Sequence, residues 1–123
     1  MLPLIFCCRT DNDLYHVLSS KGKDYPRIDA PHEAIGEVPL GGGLLILADG
    51  YPDETTDIDE RLLGVAAENP VRIYLEYPGS LPGLEVNKPR KTEWERCVVA
   101  NDAFGTSLAR LRILDLHACH FVP

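Results

Sequence analysis

Three carboxylates in this chain stand where acid–base chemistry could be done: Asp11, Asp49 and Glu76. Each follows a short apolar run, in the loops Arg9-Thr10-Asp11, Asp49-Gly50-Tyr51-Pro52 and Glu76-Tyr77-Pro78-Gly79-Ser80. A fourth loop of this kind is Asn101-Asp102. A carboxylate just beyond a buried strand costs less than one within it, yet it still needs a partner. Glu76 paired with Asp49 or Asp11 would make the acid and base of a small hydrolase. The same positions equally suit helix caps or partners of a neighbouring arginine. Arg9, Tyr51, Tyr77 and Ser80 are the candidate ligand-binding residues. Tyr51 and Tyr77 each precede a proline, and aromatic rings at such mouths either stack on ligands or cover the sheet edge.

Other constellations carry less. Ser80 lies in Gly79-Ser80-Leu81-Pro82-Gly83, which lacks the G-x-S-x-G order of a nucleophile elbow and has no matching histidine. His117-Ala118-Cys119-His120 has metal-ligand residue types, but on one continuous strand His117 and Cys119 share a face while His120 points away. His16 and His32 would have to complete such a site, so no metal is expected. There is no P-loop, G-x-G-x-x-G or H-E-x-x-H motif, and no cofactor is expected.

The elements that must position these loops read as alternating strands and helices. Leu4 to Cys8 is continuously apolar, as in a strand covered on both faces. Thr10, Asp11 or Asn12 can cap a helix through Leu14, Tyr15, Val17 and Leu18, stopped by Gly22. A short strand is expected at Arg27 to Asp29, then a helix after Pro31. Gly41-Gly42-Gly43 introduces a second buried run, Leu44 to Ala48. Asp57 or Asp59 caps the next helix, whose residues Ile58, Leu62, Leu63, Val65 and Ala66 recur at helical spacing until Asn69-Pro70. Strand Val71 to Leu75 follows. This alternation predicts an α/β fold with a mostly parallel central sheet. Beyond it, Trp94 to Ala100 reads as a strand, and Arg110 to Val122 as one longer strand or a bent pair.

The 123 residues fit one domain, with a net charge of −7 and 45% hydrophobic residues. No basic run exceeds Lys88-Pro89-Arg90-Lys91, so neither nucleic acid nor an acidic membrane is an expected partner. The run Leu2 to Cys8 lacks the basic flank of a signal peptide. The four cysteines form no CxxC pair, and the adjacent Cys7 and Cys8 point apart on a strand, which predicts free thiols in a cytoplasmic protein. The chain stops at Pro123 straight after an apolar run, and it is therefore expected to be the N-terminal part of a longer protein.

One stretch resembles a family. Gly43-Leu44-Leu45-Ile46-Leu47-Ala48-Asp49-Gly50, a capped helix, then Val71-Arg72-Ile73-Tyr74-Leu75-Glu76-Tyr77-Pro78-Gly79 is similar to the middle of a class I glutamine-amidotransferase-like domain. The resemblance covers roughly the first two thirds of the chain and lies in order and spacing. It implies a three-layer, flavodoxin-like domain in which the first strand ends in an oxyanion loop and the second delivers a cysteine on a sharp elbow. Here Glu76 or Tyr77 stands at that elbow. A carboxylate there cannot form the thioester of glutamine hydrolysis, and no downstream His-Glu pair is evident. Amidotransferase-like domains without the cysteine occur on bacterial carbohydrate-processing proteins. The resemblance thus implies a non-catalytic binding, interface or oligomerisation module, with the rest of a longer polypeptide, a homo-oligomer or a carbohydrate as partner.

Overall fold

The structure is a computed structural model that describes residues 3–103 and 105–123. Leu2, the first residue of the run weighed as a leader, lies outside the described residues. The chain divides into two compact units, residues 1–86 and 87–123.

The first unit alternates strands and helices: β1 (Leu4–Cys7), α1 (Asp13–Ser19), β2 (Arg27–Ile28), α2 (Pro31–Glu37), β3 (Gly43–Ile46), α3 (Glu60–Glu68) and β4 (Arg72–Leu75). The four strands form one sheet in the order β2-β1-β3-β4, and every pairing is parallel. This is the α/β fold expected from the alternation. β1 and β3 are central, which is why their sequences are continuously apolar instead of alternating.

Side chains leave successive strand residues on opposite faces, and two clusters result. Ile5, Cys7, Leu44 and Ile46 gather with Ala34, Ile35 and Val38 from and just after α2, and with Leu62 of α3. Phe6, Cys8 and Leu47 gather with Leu14, Tyr15 and Leu18 around α1 and with Tyr25. Phe6 and Leu44 are almost wholly inaccessible and anchor the two clusters.

Local chemistry sets the element ends. Of the three candidate caps before α1, Asn12 is the one used, its side chain accepting the Tyr15 N–H. Asp59, not Asp57, caps α3 by accepting from the Arg61 N–H, so Ile58 lies just before the helix. α2 starts at Pro31 without a side-chain cap, since proline has no N–H to satisfy. α1 ends at Ser19, and Gly22 follows in the turn with a φ of 77°. The glycine run before β3 has a steric reason: a Cβ on Gly42 would lie 2.8 Å from Pro39 O and 2.9 Å from Pro3 O.

The second unit is a bent two-stranded ribbon. β6 (Trp94–Val98) pairs antiparallel with β7 (Ile113–His117), and β5 (Arg90–Lys91) with β8 (His120–Phe121). The segment read as one strand or a bent pair is the bent pair, because Ala118 takes a left-handed φ of 49° and interrupts it. Thr92, fully buried, sits at the bend, where its N–H donates to Cys119 O and its Oγ1 accepts the Cys119 N–H.

Candidate functional site

In open parallel sheets a ligand crevice forms beyond the carboxyl ends of the strands, where successive connections leave in opposite directions. Here the chain runs from β1 outward to β2 and then returns past β1 to β3, so that point lies between β1 and β3. A crevice of about 220 Å³ is found there, with Cys7, Cys8, Asp29, Asp49, Glu54 and Asp57 in its lining. Its carboxylates would favour a cationic group.

The loops around it are tied by polar contacts to backbone. Asp49 accepts the Arg9 N–H through Oδ2 at 2.8 Å and the Asn12 side-chain amide through Oδ1 at 2.9 Å. Both of its oxygens thereby hold the loop after β1 to the loop after β3. Arg9 forms a two-pronged pair with Asp11, Nε to Oδ1 at 2.9 Å and an Nη to Oδ2 at 3.0 Å. This pairing holds the Asp11 carboxyl below its ordinary range and raises the Arg9 guanidinium. The direction for Asp11 is opposite to what a general acid at neutral pH needs.

Glu76 lies one residue beyond β4, half-buried, and its Oε2 accepts the Ala48 N–H at 2.8 Å. It ties the end of β4 to the end of β3. The next residue turns the chain sharply: Tyr77 is buried and has a φ of 50°, in the left-handed region that non-glycine residues avoid. Its ring meets that of Tyr51 edge-on, with centroids 5.0 Å apart, and its hydroxyl donates to Pro52 O. Burial, then Tyr51 and Asp53, push the Tyr77 hydroxyl pKa upward. The two tyrosines predicted at neighbouring mouths are therefore in contact with each other. Ser80 is exposed beyond this turn.

The candidate residues come together in pairs: Arg9 with Asp11, Arg9 with Asp49, and Tyr51 with Tyr77. Asp11 is bound up with Arg9, Asp49 is held by Arg9 and Asn12, and Glu76 instead accepts from the Ala48 N–H. Asn12, a cap candidate from the sequence, both caps α1 and holds Asp49. Glu54 and Thr55 carry no local sequence signal, and Asp57, a cap candidate in the sequence, instead lies against the turn after β4: a Cβ on Gly79 would run into Thr55 Oγ1 and lie 3.0 Å from Asp57 Oδ1.

The thiols and imidazoles are likewise engaged structurally. Cys7 and Cys8 are free and buried, and their pKa values are pushed up to about 11, first by burial and then by Asp49. They are protonated at neutral pH and poor nucleophiles. His117 bonds through Nδ1 with Glu93 O at 2.8 Å and lies on Trp94, with ring centroids 4.0 Å apart. β7 and β8 are separated at Ala118, so the facing of His117 and His120 does not follow the alternation of one continuous strand. Among the described residues no group of three or more His, Cys, Asp or Glu is arranged to hold a metal ion. Among them, too, no helix is long and apolar enough to cross a membrane.

No family model matches the chain, and neither does any curated protein or solved structure. What fold and geometry define is an α/β domain with an all-parallel four-stranded sheet and an acidic crevice at the carboxyl end of its central strands.

Proposed function

We propose that the chain is an amidotransferase-like module without a nucleophile, serving as a binding, interface or oligomerisation domain of a larger, carbohydrate-processing protein of the cytoplasm. Its build in this reading is three-layered and flavodoxin-like. The strand order β2-β1-β3-β4 supports that, since it matches the start of the flavodoxin order. The separate clusters around α1 and around α2 with α3 support it as well.

The observation that carries the reading is the turn after β4. Tyr77 occupies the strained elbow position with its ring buried and its hydroxyl bonded, and Glu76 beside it spends a carboxylate oxygen on the Ala48 N–H. Neither residue can form a thioester, and both fix backbone. Uncovered apolar surface favours an interface role. β4 is an edge strand with Tyr74 52% exposed, and on the ribbon Trp94 is 78% exposed. The partners in this reading are the rest of a longer polypeptide, a second copy and a carbohydrate. The net charge of −7 speaks against nucleic acid and acidic membranes.

The test is an activity measurement on the chain and its Glu76→Gln variant, with glutamine for ammonia release and with ester and glycoside substrates for hydrolysis. Both proteins are expected to match the blank. Turnover by the parent chain that Glu76→Gln abolishes would overturn the module reading in favour of a carboxylate-based hydrolase.

A further inference from the structure

The β6–β7 ribbon has one face whose composition is unusual for open surface. Paired residues of an antiparallel ladder project to the same side, and the register places Trp94 beside His117, Arg96 beside Asp115 and Val98 beside Ile113. All six are exposed, with Trp94 at 78%, Val98 at 55% and Ile113 at 62%. A two-stranded ribbon is marginal in water unless its apolar side is covered. Arg96 and Asp115 sit at the centre of this face, opposite one another, with no ion pair between them.

From this arrangement we infer that the face is the contact through which two copies of the chain associate, ribbon on ribbon, about a two-fold axis running along the strands. The inference rests on the interface reading above and gives it an occupant. The charge order selects both partner and axis. Rotation about an axis parallel to the strands, lying between two stacked faces, sets β6 of one copy over β7 of the other. Arg96 of each copy then faces Asp115 of its mate, Trp94 faces His117, and Val98 faces Ile113. Val98 meets Ile113 at one end, the Trp94 ring meets the His117 imidazole at the other, and opposite charges meet twice in the middle. A two-fold axis across the strands would instead set Arg96 over Arg96 and Asp115 over Asp115, which costs energy. One isologous geometry is thus self-complementary and its alternative is not.

The face is small. Five residues per strand at about 3.4 Å each make a ribbon roughly 17 Å long and two strands wide. An interface of that size belongs to the weak class, below about 1,200 Å² in total. The association is therefore expected between about 10 µM and about 1 mM.

Sedimentation velocity of the full chain across that range, with Arg96→Asp and Asp115→Arg as variants, tests it. The parent chain should dimerise, and each single reversal should weaken the dimer at least tenfold by placing like charges opposite each other. An equimolar mixture of the two variants should regain it, because one then offers only acidic and the other only basic residues at the centre. The chain contains one tryptophan, so Trp94 emission should shift to the blue with concentration in the parent and the mixture. Both substitutions are at exposed positions, and circular dichroism will show whether the variants fold. A parent chain monomeric throughout, with unshifted emission, overturns the inference and leaves the face to a different protein or a polysaccharide. A dimer indifferent to both reversals overturns it too. Turnover is read separately: a monomer without turnover defeats only the dimer, while a dimer with Glu76-dependent turnover defeats the module reading.

Discussion

Asn12 donates its side-chain amide to Asp49 at 2.9 Å while its carbonyl oxygen accepts the Tyr15 N–H that opens α1. One buried side chain therefore both starts a helix and joins the loops after β1 and β3. Asn12→Ala removes the cap and leaves Asp49 short of a partner. A loss of about 2 kcal/mol in urea unfolding is expected. Asn12→Asp should keep the cap but set a second carboxylate against Asp49. Its loss in the same measurement should shrink as salt is raised, because screening weakens the repulsion between the two carboxylates.

Glu76 links β4 to the Ala48 N–H as an acceptor. Glu76→Gln retains an amide oxygen for that bond and should cost under about 1 kcal/mol, whereas Glu76→Ala leaves the N–H without it and should cost about 1–3 kcal/mol. Chemical denaturation of the two variants side by side checks this. Equal losses would mean that the carboxylate charge, and not the hydrogen bond, matters.

Tyr77 is held at a φ of 50° by its surroundings. Tyr77→Phe deletes only the hydroxyl bond to Pro52 O and should cost about 0.5–1.5 kcal/mol. Tyr77→Ala keeps the unfavourable backbone angle and empties the space beside Tyr51. It should cost about 3–5 kcal/mol, measured as a lowered melting temperature and an altered near-ultraviolet tyrosine signal.

Gly79 has no room for a side chain, since a Cβ would collide with Thr55 Oγ1. Gly79→Ala should destabilise by about 1–3 kcal/mol. Adding Thr55→Ala should recover part of that loss by removing the hydroxyl in the way. Additive losses in the double variant would show that the two residues do not compete for the same space.

The thiols of Cys7 and Cys8 give a pH signature. Burial keeps them protonated in the folded chain up to about 11, whereas an exposed thiol ionises near the ordinary value of 9.0. The unfolded chain therefore releases its protons first as pH rises. Stability from this source is complete below pH 9 and is lost by pH 11, at most about 3 kcal/mol per thiol. Denaturation midpoints between pH 8 and 11 should fall accordingly, and fall less in Cys7→Ala/Cys8→Ala. Alkylation at pH 8 should reach Cys97 and Cys119 well before the buried pair.

The regular elements were legible in the residues themselves. Continuous apolar runs located β1 and β3 because a central parallel strand is covered on both faces, while the edge strand β4, exposed at every second residue, was located by the Asn69-Pro70 helix stop before it. Asn12 and Asp59 were among the readable caps because short polar side chains can reach the first free N–H groups of a helix. The choice among neighbouring candidates was not legible: Asp11 is drawn away to Arg9, and only the folded loop reveals that. The site was legible by position but not by role. Asp49, Glu76, Tyr51 and Tyr77 were found by lying just past strands, yet nothing local says that Glu76 reaches back to Ala48.

What the sequence by itself determined is therefore the alternation of strand and helix, with the parallel sheet that follows from it. Hydrophobic period, caps and breakers act over a few residues and can be read there. Tertiary structure alone decided the partners of the polar side chains, because these join loops tens of residues apart, such as Arg9 and Asp49. It also decided that Trp94, Arg96 and Val98 stand with His117, Asp115 and Ile113 on one open face. Register across a ribbon is fixed by its bend and its pairing, and neither strand carries that information alone.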